Sequence, residues 1–591
     1  MFTTRPELSG TFGMVASTHW LASQSGMAVL EAGGNAFDAA VAAAFTLHVV
    51  EPHLNGPGGD LPAIFTTAAD PTPTVLCAQG PVPAAATSAH YTGLGLDLVP
   101  GSGLLAATVP GAVAGWLTLL RDHGTRTLAD VLSYAIGYAE HGHPLLPRVS
   151  TTIDTVSGLF RAHWPSSAAV WLADGVPVGG SVFRQPALAA TYRRLVTEAG
   201  SVPGREAQID AAIRAWSSGF VAEAIDAFVG TEVMDDSGTP HAGVLTGADL
   251  AGWTPTYEPA LTLDWGGWTV AKAGLWTQGP AFLQQLTMID PAELAALDPA
   301  GRVHLVVETT KLAFADREAW YGDSASVAVG ELLDPAYAAD RRALVQPEAS
   351  MELRPGSPGG REPRLPRFVA EGRRVAGREE SGGSVGEPTV ARSGTTRGDT
   401  CHLDVVDRWG NMLSATPSGG WLQSSPTVPG LGFCLGTRAQ MCWLEDGLPN
   451  SLVPGRRPRT TLSPTLALRD GAPVLAFGTP GGDQQEQWQM VFWLAHVVDG
   501  LDLQAAIDAP SWHTNAFPSS FYPRASVPGE VVVESRIGAE AIASLRSRGH
   551  LVTESDPWSL GRLSAASRDP ATGVLGAGAN PRGMQGYAVG R

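Results

Sequence analysis

The chain has 591 residues, of which 44% are hydrophobic, so it can bury a large core. Its formal net charge of −18, from 57 acidic and 39 basic residues, argues against a nucleic-acid partner, whose phosphates bind to basic surfaces. The four cysteines form neither a disulfide framework nor a zinc-binding spacing. The N-terminal segment has no signal-peptide pattern and no run of about 18 apolar residues occurs, so we expect a cytoplasmic protein that does not contact membranes.

Helical patterns dominate the first half of the chain. Residues 13–34, "GMVASTHWLASQSGMAVLEAGG", predict an amphipathic helix with Ser17 or Thr18 as its N-cap and a glycine pair at its end. Asn35 is predicted to cap the helix that follows. Farther along, "AIFTT" and "PTVLCAQG" predict a β-hairpin, and apolar periodicity predicts a helix over 303–323.

The composition changes near residue 346. The segment 346–399 is rich in Gly, Pro, Ser, Arg and Glu, so it cannot bury enough apolar surface to become ordered and is predicted to be an exposed, mobile linker. From residue 400 onwards strand patterns dominate, beginning with a strand at Cys401 and including a hairpin in "TLALRDGAPVLAFG". A helix is predicted over 484–500.

Common catalytic motifs are absent from the sequence. It contains no GxxxxGK[ST] phosphate loop, no HExxH, no GxSxG, and no GxGxxG that opens a helix after a strand. The "HGH" at 141–143 has metal-binding residue types, but in a presumed loop we interpret it as a pair of surface histidines.

Thr400 stands between the predicted linker and the first strand of the second half. A threonine hydroxyl needs a base to act as a nucleophile. Cleavage of the preceding peptide bond would supply one, the new α-amine of Thr400, whose ordinary pKa is about 7.7–8.0. An exposed linker that ends at Asp399 is what such a precursor would contain. On this segment alone, an ordinary threonine at the start of a strand is the stronger interpretation.

Six blocks of the sequence resemble the γ-glutamyltransferase family in order and spacing, and they span nearly the whole chain. They are "GMVASTHW…GPGGD" (13–60), "TVPGAVAGW" (108–116), "KLAFADREAWYGD" (311–323), "DTCHLDVVDRWGNMLSATPS" (399–418), "RPRTTLSPTLAL" (457–468) and "GTPGGDQQEQW" (478–488). The resemblance implies an α+β fold, the N-terminal-nucleophile αββα four-layer sandwich, made as a precursor that cleaves itself between Asp399 and Thr400. The products would be a large subunit, 1–399, ending in the linker, and a small subunit, 400–591, paired as one unit.

The resemblance also implies roles for individual residues. Thr400 matches the nucleophile, and Ser418 matches a threonine that hydrogen-bonds it. Gly481 and Gly482 match the diglycine whose backbone N–H groups form the oxyanion hole. Thr460 and Thr461 replace a serine pair that touches the substrate carboxylate, and strand residues without a ligand are the alternative for them. His402 matches a histidine of the family, and Cys401 replaces a threonine, for which we favour a packing role.

The departures from the family bear on the substrate. Gln79, or its immediate neighbour, stands in the place of the arginine that binds the substrate α-carboxylate. In "QMCWL" (440–444), Gln440 is retained, but Cys442 and Trp443 replace the carboxylates that hold the α-amino group. We therefore expect that an amino acid end is no longer recognised. Trp421 and Trp443 would make the pocket more apolar.

The sequence accordingly predicts a self-processing amidohydrolase or acyltransferase with a threonine nucleophile. Its substrate would be a small-molecule amide of a γ-glutamyl or related acyl group, cleaved through an acyl-enzyme intermediate. The chemistry needs only hydroxyl, amine and backbone groups, so no cofactor and no metal is expected. Two alternatives stay open: a hydrolase of a C–C bond or acyl group in a biosynthetic intermediate, and an unprocessed, non-catalytic member of the family.

Overall fold

The computed structural model describes residues 3–324, 326–373, 400–583 and 586–591. Two seven-stranded antiparallel sheets dominate it. The first contains, in spatial order, Leu8–Gly10, Leu575–Ala579, Ser564–Arg568, Ala472–Gly478, Thr465–Arg469, Trp268–Lys272 and Leu261–Trp265. The second contains Tyr587–Gly590, Gly13–Ser17, Leu403–Asp407, Met412–Ala415, Leu61–Thr66, Thr74–Ala78 and Thr256–Pro259.

The two large sheets pack face to face, because alternate residues of each strand point into a shared apolar layer that includes Ile64, Val406 and Ala476. Within the part of the chain that the structure describes, nine helices cover the opposite face of the second sheet: Trp20–Glu31, Ala36–Val50, Ala112–His123, Leu128–His141, Pro147–His163, Pro165–Trp171, Pro186–Ala199, Arg205–Ser217 and Phe220–Val229. The first sheet is covered by Pro280–Thr287, Pro291–Ala296, Pro299–Trp320, Gln485–Val497 and Leu503–Asp508. The result is the predicted αββα four-layer sandwich.

Smaller elements surround these four layers. The short helices are Ser88–Gly93, Gly247–Ala251, Val329–Leu332, Pro335–Arg342, Arg367–Ala370 and Ala539–Ser547, and the 3-10 turns are Pro358–Gly360, Arg438–Met441, Gly482–Gln484 and Ser535–Ile537. A three-stranded sheet joins Trp512–Thr514, Glu530–Glu534 and Leu551–Ser555, a two-stranded sheet pairs His143–Pro144 with Val182–Phe183, and a small hairpin pairs Val233–Met234 with Pro240–His241. Among the described residues, no helix combines the length and the apolarity needed to span a bilayer.

Local signals predicted several of these elements correctly. Asn35 caps the helix Ala36–Val50 and forms a capping box with Asp38. The first helix, however, begins after His19 rather than after Ser17 or Thr18, and the ring Nδ1 of His19 accepts the hydrogen bond from the N–H of Leu21. Ser17 is instead the last residue of the strand that pairs with Leu403–Asp407, so its backbone is extended.

The described part of the predicted linker, 346–373, contacts the rest of the protein at a few points. The indole N–H of Trp320 donates to the carbonyl of Gly356 (3.0 Å), and Phe368 is buried against Trp443. Most residues of 346–373 are nonetheless exposed, as the composition predicts, and the buried ones are Gly356, Pro358, Pro366 and Phe368. The role of the segment as a mobile linker stays a prediction. The remainder, 374–399, lies outside the described residues. The first strand of the second half begins at Leu403, two residues later than predicted.

Segments on both sides of residue 400 contribute strands to both large sheets. In the second sheet, Leu403–Asp407 lies between Gly13–Ser17 and Met412–Ala415, and Met412–Ala415 in turn pairs with Leu61–Thr66. Because the hydrogen bonds of each sheet cross between the two segments, they form one folding unit.

The pair of histidines in "HGH" is split between surface and interior, which corrects the interpretation of both as surface residues. The side chain of His141 is 79% exposed, whereas His143 is 1% exposed and pairs with Phe183 in a short two-stranded sheet. Burial lowers the pKa of His143 to about 4, with a smaller opposing effect from a backbone hydrogen bond at Tyr138.

This burial predicts an acid-sensitive contribution of His143 to stability. Since its folded pKa lies below the unfolded value of about 6.5, protons bind preferentially to the unfolded chain, and the contribution, complete above pH 6.5, is lost as the pH falls towards 4. We expect His143→Gln to reduce the loss of unfolding free energy between pH 7 and pH 5 by about 2 kcal/mol in urea titrations. The matched variant His141→Gln should leave that loss unchanged; equal effects of the two variants would contradict the assignment.

Candidate active site

Thr400 and Ser418 face each other at one end of the second sheet. Their backbones form an antiparallel bridge, the N–H of Cys401 donates to the carbonyl of Pro417 (3.0 Å), and the two hydroxyl oxygens lie 3.3 Å apart. Both residues are buried. The predicted nucleophile and its predicted hydrogen-bond partner are thus brought together by strand pairing.

The same pairing continues across the sheet. Ser418 exchanges two backbone hydrogen bonds with Asp60 (2.8 and 3.0 Å), and the register Leu61↔Ala78 places Asp60 opposite Gln79. Directly paired residues project from the same face of a sheet, so Thr400, Ser418, Asp60 and Gln79 form one polar row, on the face that points to the other sheet. Cys401 projects from the opposite face.

Cys401 lies among the helices that cover the second sheet. Its thiol contacts a carboxylate oxygen of Glu51 and the side-chain amide of Asn55, each at 3.0 Å. These contacts support the packing role that the sequence suggested.

His402 anchors the start of the strand that carries Thr400. Its Nδ1 lies 2.9 Å from the hydroxyl of Thr416, and its Nε2 lies 3.0 Å from both carboxylate oxygens of Asp404, to which Ser564 also donates. A side chain added at Gly478 would overlap the imidazole of His402, so the end of the strand Ala472–Gly478 abuts the end that bears Thr400.

The diglycine turn follows directly after that abutting strand. Gly481 and Gly482 have φ values of 133° and 53°, where glycine is favoured, and a Cβ at Gly481 would lie 2.2 Å from the ring of Trp488. The carbonyl of Gly482 accepts a hydrogen bond from the side chain of Gln278 (3.0 Å). The turn is therefore held in one conformation on the sheet opposite Thr400.

A buried charge network supports this turn. Arg317 bonds to Asp483, to Gln278 (2.9 Å) and to Glu318 (2.9 Å). Burial of Asp483 opposes its ionisation, but the Arg317 guanidinium and two hydrogen bonds from Ser520 outweigh it and hold the pKa of Asp483 below its ordinary value. The network fixes Asp483, the residue next to Gly482.

The threonine pair lies at the same end of the first sheet as the diglycine turn, because Thr465 pairs with Phe477. Thr460 is fixed through its backbone, which bonds to Trp276 and to Gln278. The hydroxyl of Thr461 is buried and has no hydrogen-bond partner among the residues that the structure describes.

Gln440 is committed to contacts within the protein. Its amide nitrogen donates to Gly101 and Thr437 (3.0 Å each), and its amide oxygen accepts from the N–H of Tyr522 (3.2 Å). These bonds make Gln440 a support for the loop that carries Phe521 and Tyr522.

The two tryptophans that were predicted to share one pocket belong to two neighbouring apolar clusters, and the shared pocket stays a prediction. Trp421 packs with Met441 and Phe521, and Trp443 packs with Phe368 in a cluster that extends to the first half of the predicted linker. The guanidinium of Arg524 also lies 4.2 Å from the ring centre of Trp443.

Two further residues beside Ser418 were not predicted from the sequence. Asp60 lies in the loop before a strand, and the guanidinium Nε of Arg438 donates to its carboxylate (2.6 Å). Burial of Asp60 raises its pKa, and Arg438 opposes that rise. Only the register of the sheet reveals that this pair lies beside Ser418.

One group of side chains has the spacing of a metal site, but the charges around it would repel a cation. His304, Glu308 and His550 offer ligand atoms within 4.8 Å of one another. Lys311 and Arg354 already bond both oxygens of Glu308, and the two imidazoles bond directly to each other (2.8 Å). A divalent cation would meet two positive charges there, so these residues do not fit one.

Two packed sheets between helical layers are the architecture of the N-terminal-nucleophile hydrolase fold. The chain belongs to the gamma-glutamyltranspeptidase family, whose profile matches residues 22–590.

Relatives match over nearly their whole length. The "Oxamate amidohydrolase proenzyme" of Klebsiella pneumoniae is 32% identical, with 98% of each chain covered. Among solved structures, "Structure of LmbA2991T421A" superposes with a TM-score of 0.94 at 61% identity, with both chains fully covered. The cephalosporin acylase from Bacillus halodurans superposes with a TM-score of 0.80 at 28% identity, covering 100% of this chain and 97% of the acylase.

Proposed function

We propose that this chain is a self-processing amidohydrolase or acyltransferase that uses Thr400 as its nucleophile and cleaves a small-molecule amide. The observation that carries the proposal is the Thr400–Ser418 pair, placed on the inter-sheet face at the end where the diglycine turn lies. Membership of a family with relatives named as proenzymes supports it.

Processing would begin with attack of the Thr400 hydroxyl on the carbonyl carbon of Asp399. The C–N bond breaks as the nitrogen takes up a proton, and an ester then joins residue 399 to the Thr400 oxygen. Water hydrolyses this ester, leaving a carboxyl group on Asp399 and a free α-amine on Thr400.

In turnover, that α-amine accepts the hydroxyl proton while the Thr400 oxygen attacks the substrate carbonyl. The N–H groups of Gly481 and Gly482 are the donors proposed for the tetrahedral oxyanion. The amine of the substrate takes up the proton and leaves, and an acyl-threonine remains. Water or an acceptor amine then releases the acyl group from Thr400. Since an α-amine titrates at about 7.7–8.0, turnover should rise with pH up to about 8.

Cleavage can be measured directly on the purified protein. We expect a denaturing gel to show two fragments of 399 and 192 residues in place of the full 61.5 kDa chain, and N-terminal sequencing of the smaller fragment to read "TCHLDVVD". The fragments should co-elute in gel filtration, because they share both large sheets. A chain that stays intact in active preparations would contradict the proposal.

Ser418 offers a graded test of the nucleophile's environment. Ser418→Ala removes the hydroxyl 3.3 Å from the Thr400 oxygen and should slow cleavage and turnover by about tenfold, the effect expected for one lost hydrogen bond. Ser418→Thr keeps the hydroxyl and should retain most of the activity. Time courses of fragment appearance give both rates; equal losses in the two variants would indicate a packing role instead.

A further inference from the structure

The two N–H groups of the diglycine turn are buried and available for a ligand. Neither the N–H of Gly481 nor that of Gly482 donates a hydrogen bond to any residue that the structure describes. Gly482 is the first residue of a 3-10 turn, where an N–H has no partner within the turn. Since buried backbone N–H groups are nearly always paired, this pair indicates an acceptor that binds there.

The peptide group that carries the Gly481 N–H is bonded by a side chain. Its carbonyl is that of Pro480, and this oxygen accepts a hydrogen bond from the hydroxyl of Thr479 (2.7 Å). The same hydroxyl accepts the backbone N–H of Arg562 (3.1 Å). A hydroxyl has a single proton and an N–H can only donate, so the Thr479 proton must point towards the Pro480 carbonyl. The direction of both bonds is therefore fixed by their partners.

Thr479 connects the turn to the body of the first sheet. It is fully buried and follows the strand Ala472–Gly478, whose last residue pairs with Ser564. Its bond to Arg562 reaches the segment that leads into the neighbouring strand, Ser564–Arg568. The Thr479 hydroxyl therefore holds the first peptide group of the turn against two adjacent strands.

A bonded carbonyl also strengthens the N–H donor of its own peptide group. Hydrogen bonds polarise one another, so an amide whose oxygen accepts a bond has a more positive N–H. Both peptide groups of the turn have this property, because the Pro480 carbonyl accepts from Thr479 and the Gly481 carbonyl accepts from the N–H of Gln484 (2.9 Å). The second bond comes from the backbone, whereas the first depends on a particular side chain.

We propose that Thr479 is a positioning residue of the oxyanion hole. Its hydroxyl orients and polarises the peptide group whose N–H, that of Gly481, binds the tetrahedral oxyanion formed on attack by Thr400. Thr479 acts through this peptide group and exchanges no proton with the substrate. This inference rests on the function proposed for Thr400 and adds to it the side chain that sets the strength of one donor.

Acylation by p-nitrophenyl acetate tests this role on the cleaved protein. The Thr400 oxygen attacks the ester carbonyl, the α-amine takes up the hydroxyl proton, and p-nitrophenolate leaves through a tetrahedral oxyanion. We expect Thr479→Val, which keeps the shape but lacks the hydroxyl, to lower the acylation rate constant about tenfold, less than outright removal of a donor. The half-saturation concentration of the ester should stay within about twofold. Thr479→Ser restores the hydroxyl and should keep about a third of the rate or more.

Thr514→Val is the matched control for lost stability. The hydroxyl of Thr514 also donates to a carbonyl, that of Glu530 (2.6 Å), and accepts a backbone N–H, that of Ala516 (3.2 Å), and the residue is fully buried. Each valine variant leaves two buried backbone groups unpaired, so both should lower the melting temperature by similar amounts. Thr514→Val should acylate at the wild-type rate, because the Thr514 hydroxyl does not contact the diglycine turn.

Three results would overturn the positioning role. They are a Thr479→Val rate within about twofold of wild type, an equal loss in Thr479→Ser, and an equal loss in Thr514→Val. If Thr479→Val fails to cleave or to fold, Thr479→Ala takes its place and should show the same loss relative to Thr479→Ser. Failure of the Thr400 mechanism would be seen separately, as an intact wild-type chain on a denaturing gel or as a wild-type acylation rate no higher than that of Thr400→Ala.

Discussion

Replacement of Thr400 by alanine is expected to abolish both chain cleavage and amide turnover. The variant lacks the oxygen that attacks the carbonyl of Asp399 and, because it stays uncleaved, it also lacks the α-amine that would serve as the base. Loss of a catalytic nucleophile in enzymes with a positioned base lowers kcat by factors of 10⁴ or more. A denaturing gel measures the first effect, and release of an amine from acyl-anilide substrates measures the second.

Two variants make this result specific. Thr400→Ser keeps a hydroxyl and should still cleave, more slowly because the side chain is less restrained at χ1. Cys401→Ser replaces the neighbouring nucleophilic residue, whose contacts with Glu51 and Asn55 place it on the other face of the sheet. It should retain cleavage and turnover. Turnover that persists in Thr400→Ala, or that is lost in Cys401→Ser, would show that the threonine has been wrongly assigned.

Elements that local sequence determines were predicted well. Asn35 satisfies the first N–H groups of its helix through its own side chain, and the turn at Asp470–Gly471 closes the hairpin between Thr465–Arg469 and Ala472–Gly478. Both depend on residues close in sequence. The N-cap at His19 was missed because Thr18 is held by strand pairing, its N–H donating to the carbonyl of His402 far along the chain.

Features that depend on distant contacts were missed. The contacts of Gly356 are an example: its N–H donates to the carboxylate of Asp316 and its carbonyl accepts from the indole N–H of Trp320, both on a helix distant in sequence. Asp60 and Arg438 are 378 positions apart, and neither stands in a recognisable motif. The nucleophile role of Thr400 was predicted from family resemblance and stays a prediction, whereas the polar row beside it is visible only when the register of the sheet is known.

Substitution of Gly481 by alanine is expected to lower turnover by a factor of about 10² to 10³. The added methyl carbon would lie 2.2 Å from Trp488, which belongs to a buried cluster with Val532 and Leu560, and the φ of 133° disfavours any side chain. The turn must move to relieve the overlap. An N–H group stabilises an oxyanion far less once it is displaced from it. Removal of one such donor typically lowers kcat by about 10² to 10³.

Gly471→Ala is the matched control, because Gly471 also has a positive φ, 77°, but no atom lies within 4 Å of an added Cβ. It should lose about 1 kcal/mol of stability from backbone strain and keep its kcat. Thermal melting of both variants separates stability from catalysis. We expect Gly481→Ala to lower kcat with little change in KM, and Gly471→Ala to leave kcat unchanged. This pair of results would mean that Gly481→Ala weakens stabilisation of the transition state. Equal kcat values would mean that the diglycine turn only closes the end of the sheet, and the oxyanion would then need other donors.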